Sequence, residues 1–194
     1  MHSLAPSNDT SALALDDDFD LFAQCPPKPK FSRFGINQLG QLYEYGDTPA
    51  QPRRVLDTWL PFNGIYDIAL PQRAGDKRKV YLDLCCGTPH PYYFTVLSLP
   101  CFNAPDRPSW PVRSLLGSLS EAHKVLDLRT MTGKISARRG TKPNAQGYVA
   151  NFIDLFIADD PLPLQAPAID PDRHSLETTV ERLRRALQLE HHDQ

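Results

Sequence analysis

The sequence predicts a mainly β protein, with five strands interrupted by a single helix. Prolines outnumber glycines nineteen to ten, which favours turns and extended segments over a helix bundle. Residues 80–84 alternate Val80, Leu82 and Leu84 against Tyr81 and Asp83, the period of a half-buried strand. Helical spacing is clearest within the central hundred residues at Val112, Leu115, Leu116, Leu119 and Ala122.

The elements follow in order. Residues 1–30 are polar, acidic and end in "CPPKPK", and read as a disordered arm with a stiff spacer. "FSRFGINQLGQLYEYG" is a weak extended candidate interrupted by Gly35 and Gly40. "RRVLDTWLPFNGIYDIAL" is the first strand, kinked between Pro61 and Gly64. A charged loop, "QRAGDKRK", leads to the second strand over 79–85, and "CGTPHP" turns into the third, "YYFTVLSL". The helix follows, with Pro111 suited to its first turn. "KVLDLRTMTGKI" and "GYVANFIDLFIA" are the last two strands, and a basic loop joins them. Residues 159–194 form a Pro-rich acidic tail with a short helix, "SLETTVERLRRALQLE".

The formal charge of −2 conceals segregation. Residues 1–27 hold five acids and no Lys or Arg, and residues 159–194 hold eight acids and four bases. Residues 28–158 are left with 17 bases and 10 acids, a net of +7. Two loops concentrate that charge. One carries Arg73, Lys77, Arg78 and Lys79; the other carries Arg129, Lys134, Arg138, Arg139 and Lys142, with no carboxylate between Leu128 and Ile153. Neighbouring cations repel unless an anion collects there, and a phosphate backbone is the commonest polyanion.

Strand, strand, strand, helix, strand, strand in about a hundred residues is an ordinary domain. In this order, and in the chemistry of its loops, the 54–158 segment resembles the OB-fold proteins that bind single-stranded nucleic acid. The resemblance implies a five-stranded Greek-key barrel, within a domain of residues 31–158, whose second and third strands and two basic loops hold the oligonucleotide. It implies stacking of bases on exposed tyrosines: Tyr81, which points away from the Leu82/Leu84 face, then Tyr92 and Tyr93, and Tyr148 at the end of the basic loop. Phe94, Phe152 and Phe156 are assigned to the barrel core.

Competing chemistries are weaker. "LDLCCGTP" loosely resembles motif I of class I S-adenosylmethionine-dependent methyltransferases through Asp83, Cys86, Gly87 and Thr88. Pro89, His90 and Pro91 replace its last glycine and helix start, so this is a remote alternative. Cys86 and His90 suggest a nucleophile and base only on paper. The four cysteines lack the spacing of a zinc site or a disulfide framework. No metal, cofactor or catalytic residue is expected. No cation precedes Lys28 and no apolar run opens the chain, so a secretory or transit segment is not expected. The expectation is a cytoplasmic, non-enzymatic single-stranded-DNA-binding protein of replication, recombination or repair, with RNA as the second choice. A protein-binding adaptor or inhibitor is the rival class. Self-association is left open.

The arm carries its own motif, "LDDDFDLF", with Asp16, Asp17, Asp18 and Asp20 around Phe19, Leu21 and Phe22. It resembles the acidic tails of single-stranded-DNA-binding proteins, although those are C-terminal, and this implies competition with DNA or docking of a protein partner. Deleting residues 1–27 should tighten oligonucleotide binding, most at low salt where the competition is least screened. The Phe19→Ala/Phe22→Ala variant keeps every charge. Equal tightening by both changes identifies a groove mimic, and tightening by the deletion alone reduces the effect to general charge.

Overall fold

The computed structural model describes residues 28–46, 54–71, 80–104, 107–145 and 147–189. The described residues are mainly β, with mixed sheets and two helices. A six-stranded sheet is built from β1 (Lys30–Ile36), β2 (Leu42–Glu44), β3 (Arg54–Val55), β5 (Ile65–Ala69), β6 (Tyr81–Gly87) and β7 (Tyr93–Pro100), in the order β3-β2-β1-β7-β6-β5. A three-stranded sheet holds β4 (Leu60–Asn63), β10 (Thr132–Pro143) and β11 (Val149–Ile157), in the order β11-β10-β4. A short ribbon pairs β8 (Phe102–Ala104) with β9 (Arg107–Pro108).

The predicted first strand is the hinge between the sheets. β4 pairs with β10 and β5 pairs with β6, so the two halves of one extended stretch serve different sheets. Gly64 lies between them with φ at +77°, a left-handed conformation that an L side chain enters at a cost of about 1–2 kcal/mol. The expected strands then run β7-β6-β5 on one side of the bend and β4-β10-β11 on the other. Among the described residues no ladder joins the ends of this series, and no closed barrel forms.

The weak extended candidate over 31–46 is what occupies that position. β1 lies parallel to β7 in a register that sets Phe31 beside Phe94 and Phe34 beside Leu97. Its turn into β2 reaches the other sheet, where Asn151 donates from Nδ2 to the Asn37 carbonyl at 3.0 Å.

Two segments differ from the sequence reading. "KVLDLRTM" forms turns rather than a strand. Asp127 explains it: its carboxylate accepts from the Arg129 amide at 2.7 Å and its carbonyl from the Met131 amide at 3.0 Å, while Leu128 and Met131 drop into the core. The basic "loop" is itself strand β10, because Ile135 and Ala137 face inward and pair with Leu155 and Ile153. Only residues 144–148 turn the hairpin, with Asn144 Oδ1 accepting from the Tyr148 amide at 2.9 Å.

Helix α1 (Trp110–Ala122) starts at Ser109 with Pro111 in its first turn and buries Val112, Leu115, Leu116, Leu119 and Ala122, the residues its spacing selects. The C-terminal residues read as a tail are tied to the same core. Ile169 and Arg113 exchange hydrogen bonds, and a Cβ at Gly117 would run into the Pro167 carbonyl oxygen. Helix α2 (Leu176–Leu189) is capped by Ser175, whose Oγ accepts from the Thr178 amide at 3.1 Å. It buries Leu176, Val180, Leu183 and Leu187 along one stripe. No described helix is long and apolar enough to cross a membrane.

Leu183→Ala should therefore cost about 2–5 kcal/mol, the range for a fully buried leucine. Removal of residues 159–194 should abolish cooperative unfolding. Urea denaturation followed by circular dichroism checks both, and an unchanged midpoint in either variant would show that α2 is not part of the core.

Candidate nucleic-acid interface

Alternation along each strand sends one set of side chains inward and the other outward. Leu82, Leu84, Cys86, Leu97 and Leu99 are inward and buried. The outward set on the six-stranded sheet includes Phe31 on β1, Phe94 on β7 and Tyr66 on β5. Their rings form a row. Phe31 and Phe94 stack with centroids 5.4 Å apart, and Tyr66 meets Phe94 edge to face at 5.4 Å. Phe31 is 60% exposed and Tyr66 42%. Tyr66 sits at a bulge, and Gly87 beneath its ring leaves the room for it.

A cation stands at the Tyr66 end of the row. The Arg129 guanidinium lies 5.7 Å from the Tyr66 centroid and donates from Nε to the Leu187 carbonyl at 2.8 Å. Where β1 and β7 begin, Lys30 pairs with Tyr93 out of phase with Phe31 and Phe94, and its Nζ lies 5.3 Å over the Tyr93 ring and 3.3 Å from the hydroxyl. His90 meets the same ring edge-on. Tyr92, next to it, has φ at +65°, an uncommon conformation for a bulky residue, and its carbonyl accepts from the Lys30 amide at 2.8 Å. Strain of this kind gathers at functional sites. Further along the same face, Asp83 on β6 accepts from buried Ser98 on β7 and from Arg33 on β1 at 3.0 Å.

The sequence-expected residues divide among three places. Arg129 stands at the Tyr66 end of the ring row, while Tyr92 and Tyr93 lie at the turn into β7 beside Lys30 and His90. Tyr81 opens β6 half-buried on the same outward side, over an edge shared with Pro100. Lys134 and Arg138 face outward on β10, whereas Arg139, Lys142 and Tyr148 extend along the exposed end of the β10–β11 hairpin, Tyr148 at 73% exposure. Arg73, Lys77, Arg78 and Lys79 lie outside the described residues, as do Asp16, Asp17, Asp18, Phe19, Asp20 and Phe22.

Phe94, Phe152 and Phe156, expected in the core, are half-buried on outward faces instead. Phe31, Tyr66 and Lys30 were missed altogether. The signal for Phe94 was its opposite parity to buried Leu97 and Leu99; for Phe31 it was absent, because its partner strand lies some sixty residues away.

The other chemistries find little to use. Burial pushes the Cys86 thiol far above its ordinary value, and burial followed by Glu177 and Asp83 pushes Cys101 up to about 12. Neither forms a thiolate nucleophile near neutral pH. β6 turns directly into antiparallel β7, so the helix that must follow a motif I glycine turn is replaced by a strand. Among the described residues no three His, Cys, Asp or Glu side chains gather as metal ligands.

No family model matches this chain, and neither a curated protein nor a solved structure is similar to it.

Tyr92→Gly separates backbone strain from ring contacts. Relief of the left-handed conformation, about 1–2 kcal/mol, should offset the roughly 0.5–1 kcal/mol that glycine adds in unfolded-chain entropy. Stability should hold or rise by up to about 1 kcal/mol in urea melts. A clear loss would mean that the ring's packing outweighs the strain.

Proposed function

We propose that this is a non-enzymatic, cytoplasmic protein that binds single-stranded DNA during replication, recombination or repair, on an OB-like barrel left open between its end strands. The row formed by Phe31, Phe94 and Tyr66 is the observation that carries the reading. Unpaired bases carry two apolar faces, and a line of rings across β1, β7 and β5 offers them stacking that tolerates any sequence. Duplex DNA has already stacked its bases and gains nothing from such a row. Arg129 at its Tyr66 end holds a phosphate that flanks the stacked bases, and Lys134, Arg139 and Lys142 add a positive field, Arg138 being answered by Asp154. The strand order on either side of Gly64, with α1 between the third and fourth members, also supports the OB-like assignment.

Fluorescence anisotropy with labelled poly-dT against a duplex of equal length tests the reading. Each engaged phosphate contributes about −0.7 to the log–log salt slope of a single strand, so four to six contacts give roughly −3 to −4. Tyr66→Ala and Phe31→Ala should each weaken poly-dT binding by about 1–3 kcal/mol without changing stability. Absence of poly-dT binding at low salt sinks the proposal and leaves the adaptor class. Equal affinity for duplex removes the stacking row from the mechanism.

A further inference from the structure

The three-stranded sheet has an outward face of its own, and both tryptophans of the chain are on it or at its border. Along β10 the outward residues are Lys134, Ser136 and Arg138, and opposite them on β11 stand Phe156, Asp154 and Phe152. Lys134 Nζ lies 4.6 Å over the ring of Trp59, which is 51% exposed. Arg138 lies 4.7 Å over Phe152, whose ring is 5.6 Å from Trp110, and the Arg113 guanidinium covers Trp110 at 4.0 Å. Cation, ring, ring and cation therefore follow one another from β10 to the start of α1.

Lys134, Arg138 and Arg113 face Asp154, with Asp170 and Asp172 acting on Arg113 from beside it, so the positive charge of this face rests on Lys134. Asp154 answers Arg138 at 2.6 Å, whereas Lys134 and Arg113 rest on rings. The face is also continuous with the ring row. Arg129, over Tyr66, lies in the turn that leads into β10, and Thr132 and Asn63 form the next outward pair before Lys134 and Pro61. Between the two faces the extended chain passes only through Gly64.

We infer that this face is a second stacking surface for the same single strand, which passes from Tyr66 across the bend at Gly64 and lays further bases against Trp59, Phe152 and Trp110. The inference rests on the single-strand reading above. The charge fits phosphates, the rings fit bases, and an acidic protein is the other class that such a face could take. A strand bound in this way covers both faces, so affinity should keep rising with length after the ring row is filled.

Intrinsic tryptophan emission reports the second face alone, because Phe31, Phe94, Tyr66 and Tyr93 contain no indole. The full-length protein is titrated with dT strands of ~30 nucleotides, longer than the ~4–16 nucleotides that one OB-fold commonly covers. Anisotropy of the labelled strand is followed in parallel. Emission should be strongly quenched at the same equivalence point as the anisotropy, and Trp59→Leu should weaken the ~30-nucleotide complex about tenfold, the stacking of roughly one base. Trp110→Leu should leave quenching from Trp59 alone. Tyr66→Ala serves as the control on the ring row.

Saturated anisotropy with unquenched emission, and unchanged affinity in Trp59→Leu while Tyr66→Ala binds more weakly, overturns the second surface but not the single-strand reading. Such a face would then be left for an acidic protein. No change in anisotropy with the intact protein overturns both.

Discussion

Everything outside the two sheets depends on the bend at Gly64. One extended stretch serves two sheets because a single residue takes φ +77°, donates its amide to the Met131 carbonyl at 2.8 Å and accepts from the Gly87 amide at 3.0 Å. The backbone on each side can then keep Leu60 and Phe62 inward in one sheet and Ile65 and Ile68 inward in the other. A side chain at this point would meet the Arg129 carbonyl oxygen, which is backbone and has nowhere to go. The same residue therefore sets the approach of the Arg129 turn, the start of β10 and the position of Tyr66. Move it, and the outward rings of the two sheets lose their relation to one another.

The chain's ends complete what the bend begins. β1 supplies Phe31 to the outer face by lying parallel to β7, and no local turn could create that pairing. At the other end α2 packs its leucines into the core and presents the Leu187 carbonyl to Arg129, so a helix terminus short of donors is answered by a cation. Arg184 reaches Asp67 on β5 at 3.4 Å, but an exposed pair of this kind contributes about 0–1 kcal/mol at most. Burial of Leu176, Val180, Leu183 and Leu187 holds the helix; the ion pair only orients it.

Local patterns in the sequence were sufficient where one face of an element is buried. The alternation of Leu82 and Leu84 located β6, and the spacing of Val112, Leu115, Leu116 and Leu119 located α1 with its inward face. They failed where conflicting cues overlapped. In 132–143 the charge of Arg138, Arg139 and Lys142 suggested a loop, yet alternation of Ile135 and Ala137 within it was the stronger physical constraint. In 124–131 apolar residues suggested a strand, yet the side chain of Asp127 diverted the backbone into turns. The ring row was legible only in part. Exposure of Tyr92 and Tyr93 follows from their turn, whereas the meeting of Phe31, Phe94 and Tyr66 requires a parallel pairing and a bulge that no local pattern encodes.

How the cations are held decides what field the molecule presents. Asp83 and Asp154 are half-buried carboxylates on the two outward faces, and each is answered by an arginine, Arg33 and Arg138. Pairing cancels charge at a distance, so these two arginines add order more than field. Lys30 and Lys134 are placed on rings instead. A ring attracts a cation through its quadrupole, without opposing net charge, and so fixes the side chain while leaving its field intact. The charge of Lys30 and Lys134 is thus displayed beside aromatic rings, within reach of a ligand that carries both rings and negative charge. A single nucleic-acid strand satisfies both halves of that requirement along its whole length, whereas a folded acidic protein must assemble them from separate side chains.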